Sequence, residues 1–220
     1  MLRPALVFAL VAPVAGSLAL PARADCRAEV EAAFEKQRTT PPGYRVQAEQ
    51  MQDSGKVEIT IDYMLPDRMY QKVVAPNERA PIETIAVGRW AWGNMGSGWE
   101  ELQPQFAQSV TSHTRTTLME PAKSTGDFDC LGKVVVDGRE YVSYRTKPTE
   151  APPDRGPGAA APASVVLRTV YVDPATGLPA VNVIAEPGKE ATPWVRTVYA
   201  YPSDLAVEAP VGASPAPRTR

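Results

Sequence analysis

The side chains that could do chemistry in this chain are few and lie far apart in the sequence. His113 is the only histidine, which removes most catalytic triads and zinc sites. No Gly-x-Ser-x-Gly turn surrounds Ser112 or any other serine. One interpretation of His113 is a pH-sensitive latch or a polar contact at the mouth of a cavity. We favour instead a half-buried helical residue whose ring bonds to a carbonyl.

The carboxylates show no spacing that singles out a catalytic pair, so we interpret them as exposed acids on strands and loops. The acids considered are Glu83, Glu100, Glu101, Asp127, Asp129, Asp137 and Glu140. Asp127 and Asp129 are similar to the start of a calcium loop, but the further oxygen ligands and the closing glutamate are missing. We therefore predict no catalytic residue, no metal site and no cofactor, and a protein that is not an enzyme.

The two cysteines, Cys26 and Cys130, predict a disulfide. A redox or nucleophilic role is less favoured, because there is no C-x-x-C motif and no candidate base nearby in the sequence. The bridge would close a loop of about 100 residues, worth on the order of 4 kcal/mol in the chain-entropy model. The bond could join residues of one chain or of two.

Residues 1–24 have the pattern of a cleaved secretory signal peptide. Arg3 precedes an apolar run, and the small residues Ala22 and Ala24 stand where a signal peptidase reads them. The run is interrupted and too short for a membrane span, which wants roughly 20 apolar residues. We expect a mature chain that begins at Asp25, is periplasmic or secreted, carries no lipid on Cys26 and has no integral membrane segment.

The mature chain is predicted to be mildly acidic. Removing residues 1–24 takes away two arginines and no acid, which leaves 21 basic and 25 acidic side chains and a net charge of −4. Proteins that bind nucleic acid carry a basic face. We therefore expect no nucleic-acid partner.

Periodicity predicts two helices, at 27–38 and 104–118, among about nine strands. The predicted strands are 44–50, 56–64, 68–74, 82–92, 133–136, 139–144, 165–172, 180–186 and 194–201. Asp137-Gly138 is a strong hairpin signal, because both residues tolerate the positive φ of a type I′ turn. So many consecutive antiparallel strands predict a mainly β protein of the α+β class, in which one large sheet curls over the helices or over a ligand.

The domain organisation follows from the same pattern. We predict a single domain over 25–209, with a mobile Pro/Ala-rich insertion at 148–163 and a disordered tail at 210–220. The second helix is amphipathic, but its C-terminal half is rich in threonine, so packing rather than local preference must hold it.

Two apolar surfaces could meet in this fold. One is the alternating face of strand 56–64, with Ile59, Ile61 and Tyr63, and the other is the apolar stripe of the second helix. Trp90 and Trp92 share a strand face by parity, next to a glycine-rich turn. These aromatic side chains either line an apolar ligand site or fill the core beside the helix, and the two alternatives stay open.

Three short motifs resemble the periplasmic lipoprotein-carrier superfamily, which includes LolA-, LolB- and LppX-like proteins. The motifs are a turn with Pro66 and Arg68 between two strands, a strand with Gly88 followed by Trp90 or Trp92, and a late turn with an aspartate at 172–179. They cover roughly a third of the mature chain. The resemblance implies a strongly curved, half-open antiparallel sheet whose concave apolar face is closed by helices and holds acyl chains.

The predicted function is therefore a binding or carrier protein that shelters a lipid or another apolar small molecule between the sheet and the second helix. The predicted lining residues are Ile59, Ile61, Tyr63, Trp90, Trp92, Leu102, Phe106 and Val110. The alternative is an interaction module whose concave face is filled by its own side chains and whose aromatic edge docks another envelope protein. A hydrolase is the third hypothesis.

Overall fold

The computed structural model describes residues 25–121, 123, 126–147, 149–150 and 165–214. The signal-peptide prediction for residues 1–24 lies outside these ranges. The predicted insertion at 148–163 does too, apart from the backbone of residues 149 and 150.

Both predicted helices are confirmed, and each observed boundary lies within one residue of the predicted boundary. Helix α1 spans Cys26–Arg38 and helix α2 spans Pro104–Met119. The strands of the described chain are β1 Gly43–Gln52, β2 Gly55–Met64, β3 Arg68–Val74, β4 Ile82–Val87, β5 Trp90–Asn94, β6 Glu100–Glu101, β7 Phe128–Val136, β8 Arg139–Thr146, β9 Thr149–Glu150, β10 Val165–Val172, β11 Pro179–Ala185 and β12 Val195–Ala200.

The strands form one open sheet in the order β6-β5-β4-β3-β2-β1-β12-β11-β10-β8-β7, with the short β9 paired to β10. Every neighbouring pair is antiparallel. The chain starts in the middle at β1, meanders to the edge at β6, crosses through α2 to the opposite edge at β7, and meanders back to β12 beside β1. The predicted class, a curved antiparallel half-barrel with two helices, is confirmed.

Helix α1 has local signals at both ends. The Asp25 side chain accepts a hydrogen bond from the amide of Ala28 at 3.1 Å, which satisfies one free donor of the first turn. Lys36 and Arg38 lie in the last turn, where the helix dipole favours positive charge. The predicted disulfide is confirmed within one chain: Cys26 bonds to Cys130 and joins α1 to β7.

Helix α2 depends on packing, as predicted. It has no side-chain N-cap, and the hydroxyls of Thr111 and Thr114 bond back to carbonyls four residues earlier, an arrangement that stabilises a helix little. Leu118 near its C-terminus is completely buried. The carbonyl of Leu118 accepts a hydrogen bond from Arg38 Nη1 at 2.9 Å, which fastens the end of α2 to the end of α1.

The predicted strand over 82–92 is wrong, because it is a hairpin. Gly88 has a φ of +63°, and the chain reverses there so that Val87 pairs with Trp90. The Asp137-Gly138 hairpin is confirmed, with φ values of 51° and 77°, and β7 begins at Phe128 rather than at 133.

We refer to residues 201–214, after β12, as the C-terminal strap; it reaches the face of the sheet opposite the helices at Val207. Val207 is buried, and its carbonyl accepts a hydrogen bond from Arg68 Nη1 at 2.9 Å. The predicted tail begins at 210, but Ser214 donates to the carbonyl of Trp99 and accepts from the amide of Glu101. The strap therefore extends to Ser214, and residues 215–220 lie outside the described chain.

Candidate ligand-binding surface

Both helices pack on the same face of the sheet. Directly paired residues of antiparallel strands point to the same side, so the register assigns each side chain to a face. Helix α1 packs on Tyr144, Val170 and Val172 of β8 and β10. Helix α2 packs on residues of β1 to β4 that the register assigns to the same face.

The core beneath α2 closes one end of this helix-side face. Leu118 packs with Tyr44, Tyr63, Met69 and Ala86, all of them buried. The rings of Tyr44 and Tyr63 lie 5.2 Å apart. Burial raises the pKa of both tyrosines, so each hydroxyl stays protonated and neutral in the physiological range.

Beyond this core, the helix-side face carries a surface of half-buried apolar side chains, and the polar Gln71, Thr84 and Thr197 lie on the same face among them. We call this surface the apolar floor, and its residues are Val46, Ala48, Ile59, Ile61, Val73, Ile82, Ile184 and Val195. Apolar side chains grouped on one exposed face are typical of ligand and partner sites.

The floor is long as well as apolar. It runs from β4 to β11, and Arg168 of β10 lies beside it, six strand spacings from β4. At about 4.8 Å per spacing, six spacings correspond to about 29 Å along the sheet. An extended acyl chain fits within this length.

Four of the predicted lining residues lie on or next to the floor, with different roles. Ile59 and Ile61 are half-buried floor residues. Tyr63 is only 6% exposed and belongs to the core under α2, against which Val110 also packs. Tyr63 and Val110 thus close the end of the floor rather than line it.

Leu102 and Phe106 lie at the other end of α2, near β5. They line a shallow open groove together with Gly93 and Met95. Leu102 Cδ2 is 3.1 Å from the place where a Cβ on Gly93 would sit, so any larger residue at Gly93 would crowd it. Phe106 is 59% exposed and contributes an apolar side chain near the sheet edge.

Trp90 and Trp92 do not line the floor, and this part of the prediction is wrong. Ala86 of β4 points to the helix side and pairs with Ala91, so Ala91 points to that side too. Trp92 pairs instead with Ile85, the neighbour of Ala86, which points to the other side. Both tryptophans therefore lie on the face opposite the helices. In one continuous strand they would have shared the side of Ile82, but the two-residue turn at Gly88 reverses that parity.

His113 also differs from its prediction. It is exposed on α2, and its Nε2 lies 3.4 Å from the hydroxyl of Tyr63 rather than at a carbonyl. The contact links α2 to β2 at the surface of the core. Within the described residues, no three His, Cys, Asp or Glu side chains are grouped closely enough to hold a metal ion.

Six floor residues were missed by the sequence prediction: Val46, Ala48, Val73, Ile82, Ile184 and Val195. Each lies on a predicted strand, so alternation reveals which neighbours share its face. Alternation within a strand does not tell which face is concave, and only the pairing register joins these residues into one surface.

The opposite face is polar on β1 to β3. Arg45 donates to both carboxylate oxygens of Asp62 at 2.6 and 2.7 Å, and the Asp62 side chain is only 8% exposed. The ion pair with Arg45 allows the Asp62 carboxylate to be buried. Tyr70 donates to Glu83 at 2.6 Å nearby. The face opposite the helices is thus polar on β1 to β3, whereas on β11 it carries the buried apolar side chains of Val181, Val183 and Ala185.

The fold of this chain is an open, curved antiparallel sheet with two helices packed on one face. The chain has this fold in common with the lipoprotein LppX of Mycobacterium tuberculosis, with 12% identity over 84% of this chain and 100% of that one and a TM-score of 0.51. LprF of Mycobacterium bovis is similar at 9% identity over 85% and 97%, with a TM-score of 0.50.

At these identities the similarity shows the fold alone. A LolA superfamily protein from Nitrosomonas europaea has 12% identity over 81% of this chain and 93% of that one, with a TM-score of 0.31. No protein-family model matches the chain, and no curated protein matches it. The resemblance seen in the sequence motifs is thus confirmed as a resemblance of fold. None of the described helices is long and apolar enough to cross a bilayer.

Proposed function

We propose that this chain is a periplasmic or secreted binding or carrier protein that shelters a lipid or acyl chain on the apolar floor. The observation that carries the proposal is the half-buried state of the floor residues on the side where both helices pack. A self-filled core would bury these side chains completely. The LppX-like fold supports the same interpretation.

The binding mechanism is removal of apolar surface from water. Each methylene of a ligand that leaves water contributes about 0.8 kcal/mol. A long tail that lies along the floor therefore gains affinity with length, and the floor side chains lose their own exposed area at the same time. Helix α2, held mainly by packing, forms the cover at the closed end.

A fluorescent long-chain fatty-acid analogue tests this proposal. Ile59→Asn replaces a floor residue, and we expect it to weaken binding about fivefold, because roughly 1 kcal/mol of apolar contact is lost. The matched control is Thr60→Asn, the next residue of the same strand on the opposite face, which should change affinity by less than about twofold. The proposal fails if the analogue does not bind the wild-type protein or if both variants weaken it equally.

The alternative, a module that docks another envelope protein, has one supporting observation. Trp90 is 46% exposed on the face opposite the helices, and the guanidinium of Arg89 lies 4.9 Å from its ring centre. Large exposed aromatic and arginine side chains are common in protein interfaces. A stoichiometric protein that copurifies with the wild type and is lost in Trp90→Ala would favour this alternative.

A further inference from the structure

A charged side chain, that of Arg168, lies on the helix-side face next to the apolar floor. Arg168 of β10 pairs directly with Ile184 of β11, a floor residue, so both point to the same side of the sheet. The side chain is half-buried. Burial lowers the pKa of Arg168, although arginine remains charged at any physiological pH.

The contacts of this guanidinium leave its charge without a counter-ion. Arg168 Nε donates to Asn182 Oδ1 at 2.8 Å, and the guanidinium carbon lies 5.3 Å from the ring centre of Phe34 on α1. These two contacts fix its position. Among the residues that the structure describes, no carboxylate lies within 4.0 Å of it.

Some other strand arginines of the sheet have carboxylate partners, although Arg68 and Arg139 have none within 4.0 Å among the described residues. Arg145 of β8 is 3.8 Å from Glu190, and Arg196 of β12 is 2.9 Å from Asp137. The register assigns both arginines to the opposite face. Among the described residues, Arg168 thus differs from Arg145 and Arg196, because it lies on the helix-side face and has no carboxylate partner.

A second polar group lies close to Arg168. The ring of Tyr199 on β12 packs edge-on against Phe34, with 5.9 Å between the ring centres. Burial raises the pKa of Tyr199 to about 12, so its hydroxyl remains a protonated donor. In the described part of the chain, no protein group bonds to that hydroxyl.

We propose that the ligand is an amphipathic anion whose tail lies on the apolar floor and whose carboxylate or phosphate headgroup pairs with Arg168. A half-buried cation is costly to leave unpaired, and an anionic headgroup supplies the missing charge with short charge-assisted hydrogen bonds. The planar guanidinium suits both kinds of headgroup. This inference rests on the proposed function and adds the headgroup chemistry to it.

Three ligands with the same tail test the inference: dodecanoate, dodecyl phosphate and dodecanol. Calorimetric titration of the wild type at mildly alkaline pH should show binding at least about tenfold tighter for one or both anions than for the neutral alcohol. The stronger of the two anions identifies the headgroup class. Arg168→Gln should remove the preference and leave the affinity for dodecanol unchanged.

Arg196→Gln is the matched control, since it removes an arginine from the opposite face of a nearby strand. It should keep the wild-type preference for the anion. Equal binding of all three ligands to the wild type would overturn the headgroup inference and leave the proposed function intact. Binding of none of them would overturn both. A preference that persists in Arg168→Gln would assign the headgroup to another site and refute the role of Arg168.

Discussion

Replacing both cysteines, in the double variant Cys26→Ser with Cys130→Ser, should strongly destabilise the protein without changing its fold. The bond ties the first residue of α1 to β7 at the far edge of the sheet. The double variant is preferred to a single one, because a single substitution would leave a free thiol that can pair between chains.

The magnitude follows from the length of chain that the bond closes. The two cysteines are separated by 104 residues, and in the chain-entropy model a loop of that length contributes about 4.7 kcal/mol by restricting the unfolded state. For a chain of this size each kcal/mol corresponds to about 2–4 °C in Tm. The variant should therefore melt about 9–19 °C below the wild type.

Circular dichroism melts of the mature protein measure this difference. Wild-type protein under reducing conditions should melt close to the double variant, and reductant should leave the variant itself unchanged. A loss of less than about 1 kcal/mol would refute the reasoning, because it would mean that the unfolded chain gains little freedom when the bond is removed.

Two further predictions concern the core and the alkaline limit of stability. Leu118→Ala should lower the free energy of unfolding by about 3 kcal/mol in denaturant titrations, because the Leu118 side chain is 0% exposed. The control Met119→Ala, whose side chain is 55% exposed, should lower it by less than about 0.5 kcal/mol. Equal losses in the two variants would contradict the packing of α2. Burial and the adjacent Glu83 raise the pKa of Tyr70 to about 12, so this tyrosine ionises at lower pH in the unfolded chain than in the folded protein. Its contribution to stability is complete below about pH 10 and should be lost as the pH rises towards 12. In Tyr70→Phe the free energy of unfolding, measured with urea, should decrease less between about pH 10 and 12 than in the wild type. An equal decrease in both proteins would contradict this prediction.

Most of the secondary structure could be predicted from the sequence, because helices and turns are determined by residues that are close together in the chain. Apolar spacing placed both helices, and Asp137-Gly138 marked a hairpin by its tolerance of positive φ. The meander order also follows from short connections between consecutive strands. The pairing of β1 with β12, which joins the two meanders, connects residues far apart in sequence and leaves no local signal.

The candidate site could be predicted only in part, because the pairing register between strands determines the face of the sheet on which each residue lies. Ile59 and Ile61 were found from alternation within β2, but one unrecognised turn at Gly88 moved Trp90 and Trp92 to the wrong face. Arg168 lies in a strand that is buried on both faces, so alternation did not show it as unusual. Its significance depends on the missing carboxylate, which sequence spacing does not reveal.

The most direct test of the apolar floor uses the isoleucine methyl groups. The chain has five isoleucines; four belong to the floor, at Ile59, Ile61, Ile82 and Ile184, whereas Ile85 is buried on the opposite face. In a methyl NMR titration of the isoleucine-labelled protein with dodecanoate, the four floor signals should shift and the Ile85 signal should stay in place. Unmoved floor signals, or a shift of Ile85 alone, would contradict the account.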